Sequence, residues 1–194
     1  MTPADLRERL EEDGFVVLPG DLHGAHFGSS GVLQTLQATF YPALADIANQ
    51  WRARFGLPGR YPAQLTQFQA QCQDAGQSHD PSRFTRLGEQ DYLPLRHRGA
   101  DALVFPLQMV ALLSTPGEDF SGGELLLSEQ RPRLQSRPVV VPLRRGDIAL
   151  FPSHRRPVAG RNGDYPVTTR HAVSPVRSGQ RLGLELYFHR VAPA

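Results

Sequence analysis

The sequence predicts a mainly β fold with N-terminal helices: an antiparallel β-sandwich or jelly roll resting on a helical buttress. Two observations predict it. Helical periodicity is confined to roughly the first 80 of the 194 residues. From about residue 83, short β-rich runs alternate with Pro/Gly turns, the spacing of a sheet domain. No repeat, linker or low-complexity segment interrupts the chain, and the gap between the two parts is too short to separate domains. Residues 1–194 are therefore expected to form one domain, with 1–80 as buttress and 83–191 as jelly-roll core.

The elements follow in order. Residues 4–12 read as a short charged helix, and Gly14 to Pro19 as a strand stopped by Pro-Gly. Between 33 and 54, Leu33, Leu36, Phe40, Leu44, Ile47 and Trp51 recur on one helical face, a core-facing stripe. A further helix starts at Tyr61-Pro62 and runs to about Ala75, with Leu65, Phe68 and Cys72 inward and Gly76 as its cap. Strands are expected at 84–88, 92–97, 103–114, 123–128, 137–142, 147–151, 168–174 and 180–190. Pro116-Gly117, Gly122-Gly123 and Arg145-Gly146-Asp147 punctuate them.

Composition narrows the function. No apolar run approaches the ~18 residues of a membrane span, and the first residues carry no basic signal-peptide region. A cytoplasmic protein with no membrane partner is expected. One cysteine, Cys72, excludes an internal disulfide and a cysteine-based metal cluster. All 21 basic residues are arginine. A GC-rich coding sequence accounts for such a bias; bidentate recognition of phosphate or carboxylate is the functional reading. The arginines are spread out, without a basic run or helix, so a nucleic-acid polymer is not the expected partner.

Of seven histidines, His97 and His171 stand out by their surroundings. His171-Ala172-Val173-Ser174-Pro175-Val176 is followed by a turn and then Arg181. A hairpin would put His171 and Arg181 on one interior face. This pattern resembles the iron(II)- and 2-oxoglutarate-dependent oxygenases. They hold iron with His-x-Asp/Glu and a distal His, and anchor 2-oxoglutarate through a basic residue about ten positions later. The resemblance implies a double-stranded β-helix (jelly roll, cupin-like), with His97 and His171 on iron and Arg181 on the distal carboxylate of 2-oxoglutarate. The segments Leu113 to Leu125, Arg145 to Pro152, Phe105-Pro106-Leu107-Gln108, Ser128 to Ser136 and Arg156 to Gly160 resemble a bacterial oxygenase family associated with damaged nucleic acid.

The carboxylate position after His97 reads Gly99. Within the superfamily His-x-Gly resembles the radical halogenases, in which chloride fills the place of the carboxylate. The implied cofactors are Fe(II), 2-oxoglutarate, chloride and dioxygen. Together these features resemble the nucleotide halogenases of 2′-chloropentostatin-type antibiotic biosynthesis, which chlorinate 2′-deoxyadenosine monophosphate. A small-molecule nucleotide is then the implied substrate, with Arg155, Arg156, Arg161, Arg170 and Arg177 as candidate phosphate partners and Tyr165 or Phe120 as candidate base contacts. Two alternatives stay open. One is an iron/2-oxoglutarate hydroxylase or demethylase of nucleic-acid bases, its carboxylate supplied by Asp101 or elsewhere. The other is an iron-free jelly-roll protein that keeps only 2-oxoglutarate or a nucleotide.

Overall fold

The computed structural model describes residues 2–20, 22, 30–97, 102–161 and 163–193. Among the described residues three α-helices lie in the N-terminal part: α1 (Pro3–Glu12), α2 (Ser30–Arg54) and α3 (Leu65–Asp74). Helix α1 opens with a reciprocal capping box in which Thr2 and Asp5 satisfy each other's backbone N–H groups. Helix α3 starts at Leu65, later than the expected Tyr61. Tyr61 is instead held in the preceding loop, its N–H on Asn49 and its hydroxyl on the Val104 carbonyl.

Two antiparallel sheets form the body. The first has the order β1 (Val16–Leu18), β8 (Ile148–Pro152), β4 (Leu107–Leu112), β12 (Arg181–Leu186), β2 (Arg83–Leu87). The second has the order β3 (Leu93–Arg96), β10 (Gly163–Val173), β6 (Leu125–Gln130), β7 (Arg137–Val141), with β9 (Arg155–Gly160) also paired to β10. A small ribbon joins β5 (Phe120–Gly122) to β11 (Val176–Gly179). The sequence reading did not anticipate β5, β9 or β11. Strand β10 also starts earlier than expected, because a hairpin with β9 turns at Gly160 to Gly163 and pairs Gly163 to Thr168.

Side-chain alternation divides the first sheet between two cores. Leu107, Met109 and Ala111 of β4, Leu150 of β8, and Leu184 and Leu186 of β12 pack on the helices against Tyr41, Leu44, Ile47, Trp51, Phe68 and Cys72. The opposite face of β4 and β8 (Val110, Leu112, Ala149, Phe151) meets Leu125, Leu127, Val141 and Val173 of the second sheet. The polar pocket lies in this inter-sheet layer.

Candidate functional site

Alternation that sends Leu184 and Leu186 to the helices sends Arg181, Gly183 and Glu185 inward. The register of β12 with β2 places Leu87, Thr85 and Arg83 opposite these three residues. From the facing sheet, β10 directs Thr169, His171 and Val173 to the same space, and β3 sets Arg96 directly opposite His171.

Glu185 joins the two sheets. Its side chain is 3% exposed. Oε1 lies 3.9 Å from His171 Nε2 and also accepts from Arg96 Nη2. Oε2 accepts from Arg83 Nε at 3.1 Å and pairs with Nη2 at 3.0 Å. Burial pushes the carboxyl pKa up, but the neighbouring His171 imidazole and the charges of Arg96 and Arg83 outweigh it and hold it at about 2. On the other side of the imidazole, the Gln108 amide nitrogen is 3.1 Å from His171 Nδ1, and the Phe151 ring packs at 5.3 Å. With Nδ1 accepting from the amide, a neutral His171 carries its proton on Nε2, toward Glu185.

Arg181 lies further along the same face, 1% exposed. Its Nε donates to the Gly123 carbonyl at 2.9 Å. Burial lowers its pKa to about 10, with the charge of Glu185 opposing that shift, so the guanidinium stays charged at neutral pH. Among the described residues it forms no ion pair. It borders a cavity of about 320 Å³ whose other walls include Leu112, Phe120, Leu125, Val141 and Leu143. The expected Gly122-Gly123 turn is there for a steric reason. Both residues have positive φ, and a Cβ on Gly123 would stand 2.9 Å from Arg181 Cδ.

His171 and Arg181 thus reach the interior from facing sheets. His97 does not face it in the same way: it is exposed just beyond the end of β3, and its ring packs on His154 at 4.2 Å. Gly99 and Asp101 lie outside the described residues. Among the described residues no three His, Cys, Asp or Glu side chains are placed to hold one metal ion. His171 and Glu185 are two donors where a facial set needs three, and guanidinium groups engage both oxygens of Glu185. As arranged, these residues do not fit an iron(II) ion.

Sequence reasoning missed Glu185, Arg96, Arg83 and Gln108. The signal for Glu185 was available: it lies four residues after Arg181, on the same strand face, within the apolar run Leu184 to Phe188. One candidate phosphate partner is corrected. Arg156 is 1% exposed, bonded to both carboxylate oxygens of Glu129 and to the Glu11 carbonyl. Arg155, Arg161, Arg170 and Arg177 are exposed. Phe120 is buried in the inter-sheet core and lines the Arg181 cavity, away from the cleft beside His154. A second cleft of about 470 Å³ opens beside His154, lined by Trp51, Arg52, Phe55, Tyr61 and Arg155 among others.

Two facing antiparallel sheets with helices on one side are the cupin-like double-stranded β-helix of the Fe(II)/2-oxoglutarate-dependent oxygenases. An oxidoreductase of the 2OG-Fe(II) oxygenase family from Burkholderia pseudomallei shares the fold with a TM-score of 0.53 at 14% identity, covering 99% of this chain and 93% of that one. A prolyl 4-hydroxylase structure from Phytophthora capsici has a TM-score of 0.53 at 17% identity, covering 94% of this chain and 61% of that one. A family profile described as an oxygenase catalysing oxidative methylation of damaged DNA matches residues 20–191, and the chain belongs to that family. Two uncharacterized proteins of Mycobacterium tuberculosis, one from each of two strains, are 39% identical over 163 residues, 84% of this chain and 70% of theirs. The superfamily is one of oxidoreductases, for which Fe(II), 2-oxoglutarate and dioxygen are the expected cofactors. No helix among the described residues is long and apolar enough to cross a membrane.

Proposed function

We propose that the chain binds a small dicarboxylate of the 2-oxoglutarate class between its sheets, with Arg181 as the anchor. The observation that carries this reading is a buried, charged guanidinium at a cavity wall with no ion pair among the described residues. A charge held out of water is costly unless it is paired, and a carboxylate matches a guanidinium bidentately. Charge balance supports an anion: Arg83 and Arg96 share the single Glu185, and the buried Arg181 pairs with no acid among the described residues. Arg96 Nε and Thr169 Oγ1, on the facing sheet, are buried without a hydrogen-bond partner among the described residues. Calorimetric titration of 2-oxoglutarate tests the reading. Arg181→Ala should weaken binding by about 1.5–3 kcal/mol, and Arg181→Lys should recover part of it, since lysine restores charge without the fork. Unchanged affinity in Arg181→Ala would remove the assignment.

For a second ligand we infer a nucleotide or nucleic-acid base at the cleft beside His154. The family's description supports this, as do the rings of Phe55 and Tyr61 set beside Arg52 and Arg155. Chlorination of that ligand, implied by Gly99, presumes a pocket without a carboxylate. Glu185 stands beside His171 with both oxygens held by guanidinium groups, so the described residues do not favour halogenation. Catalysis would need iron, for which the described residues of the pocket offer no facial set; ligand binding is the part of the function put forward. Mass spectrometry of 2′-deoxyadenosine monophosphate and of a damaged oligonucleotide, each incubated with iron(II) and 2-oxoglutarate with and without chloride, separates the readings. A chlorinated nucleotide would restore halogenation, and an oxidised base would restore the oxygenase chemistry of the family description.

A further inference from the structure

We propose that the guanidinium of Arg96 takes the place of the metal in this pocket: paired with Glu185 against His171, it is a fixed internal cation that keeps divalent ions out. The proposal deepens the dicarboxylate reading, because it makes that binding independent of metal.

Register is the first argument. Arg96 and His171 are paired residues on antiparallel strands, so both side chains stand on one face of the second sheet. A strand exposes alternate residues to opposite faces, so the position that shares the pocket with His171 is 96, and it holds an arginine. His97, the next residue, is exposed on His154.

The bonding of Glu185 is the second. The oxygen that faces His171 at 3.9 Å is also the oxygen that takes Arg96 Nη2. The other oxygen takes two nitrogens of Arg83. A metal on Oε2 must displace one of the Arg83 bonds, and a metal on Oε1 must share that oxygen with the Arg96 guanidinium. The Arg96 side chain, 22% exposed, then sets its positive charge directly against the ion in a largely buried place.

Charge is the third. Two guanidinium groups, Arg83 and Arg96, already pair with one carboxylate, with Arg181 further along the same strand face, and a divalent ion would add two more positive charges beside them. A dianionic ligand has the opposite effect. An Fe(II)-type facial site supplies a cation for the ligand to meet; here Arg96 supplies it, and its Nε is buried without a partner among the described residues.

The test is metal binding by the full chain. Co(II), and Fe(II) under anaerobic conditions, are titrated into wild type and followed by calorimetry and by the visible Co(II) bands. Wild type should show no stoichiometric site, and 2-oxoglutarate affinity should change less than about two-fold on adding a chelator, well under the tenfold that corresponds to 1.4 kcal/mol. Arg96→His puts an imidazole opposite His171 and frees one Glu185 oxygen. It should gain one equivalent of Co(II), lost again when His171→Ala is added. One equivalent of Co(II) bound by wild type and lost in His171→Ala would overturn the proposal. So would an Arg96→His protein that unfolds cooperatively like wild type yet binds no more Co(II). The two readings fail separately. If 2-oxoglutarate binds only with metal, Arg96 is not the pocket's cation but Arg181 keeps its role. If neither metal nor 2-oxoglutarate binds wild type, the ligand is wrong but the exclusion of metal stands.

Discussion

Arg96 and His171 stand directly opposite each other on β3 and β10, and the carboxylate of Glu185 closes the group from the facing sheet. Three strands from two sheets therefore meet in one ionic cluster inside the sandwich. A buried ion pair is weak evidence for stability in itself, since desolvation offsets the attraction. Its consequence is asymmetry: losing the single acid hurts far more than losing the whole pair.

That asymmetry is measurable. Glu185→Ala leaves Arg83 and Arg96 facing each other without their acid and should cost about 3–5 kcal/mol in urea unfolding. Replacing the pair with apolar groups of similar size, Glu185→Leu with Arg96→Met, should recover most of that loss. A double variant no more stable than Glu185→Ala would mean that the pair is not coupled.

Acid sensitivity follows from the same carboxylate. The folded protein holds Glu185 at about 2, against an ordinary value of 4.5, so the unfolded chain takes up the proton first as pH falls. The stabilisation is complete above about 4.5, declines below it, and is gone once pH has passed through about 2. Glu185→Gln should flatten this part of the curve of unfolding free energy against pH. Parallel curves for the two proteins between those limits would contradict the assignment.

The helical buttress and most strands were legible because periodicity reports burial. The α2 stripe of Leu44, Ile47 and Trp51 packs on the first sheet as the sequence implied. Hairpin partners were harder. Strand β9 carries two adjacent arginines and a proline and has no alternating pattern; it forms because β10 extends to meet it. In the pocket, Arg181 and His171 were readable from a motif, whereas register was not. One residue of slip exchanges which of Arg96 and His97 faces inward, and no local property of Leu95-Arg96-His97 decides it. The long-range pairing of β3 with β10 does. Arg156 was misread for a related reason: it sits among exposed arginines in sequence, and only the fold brings Glu129 to it.

The correction at Arg156 makes its own prediction. Arg156→Ala removes a 1% exposed guanidinium from Glu129 and from the end of α1. Breaking a buried pair by removing one partner costs about 3–5 kcal/mol. Stability should fall by that order while the affinity for any anionic ligand of the folded protein stays unchanged. A stable Arg156→Ala protein with weakened nucleotide binding would return Arg156 to the ligand site.

Gly183 gives a finer probe of the anchor, because it sits between Arg181 and Glu185 on the inward face of β12. A Cβ there would lie 2.8 Å from the Ala111 carbonyl oxygen and 3.0 Å from Arg181 Nη1. The first contact is with backbone in the neighbouring strand and cannot move without disturbing the β4–β12 pairing. The second pushes the guanidinium from its place. Overpacking of this kind costs about 1–3 kcal/mol, so Gly183→Ala should lower the urea midpoint. It should also weaken 2-oxoglutarate binding although no ligand-contacting atom is removed. Gly76→Ala is the control: its surroundings are open, it lies away from the cavity, and its positive φ brings backbone strain alone, so it should cost stability without changing affinity. If Gly183→Ala binds 2-oxoglutarate as wild type does, the position of the Arg181 guanidinium does not set the affinity. The anchor would then have to be sought among Arg96 and Arg83.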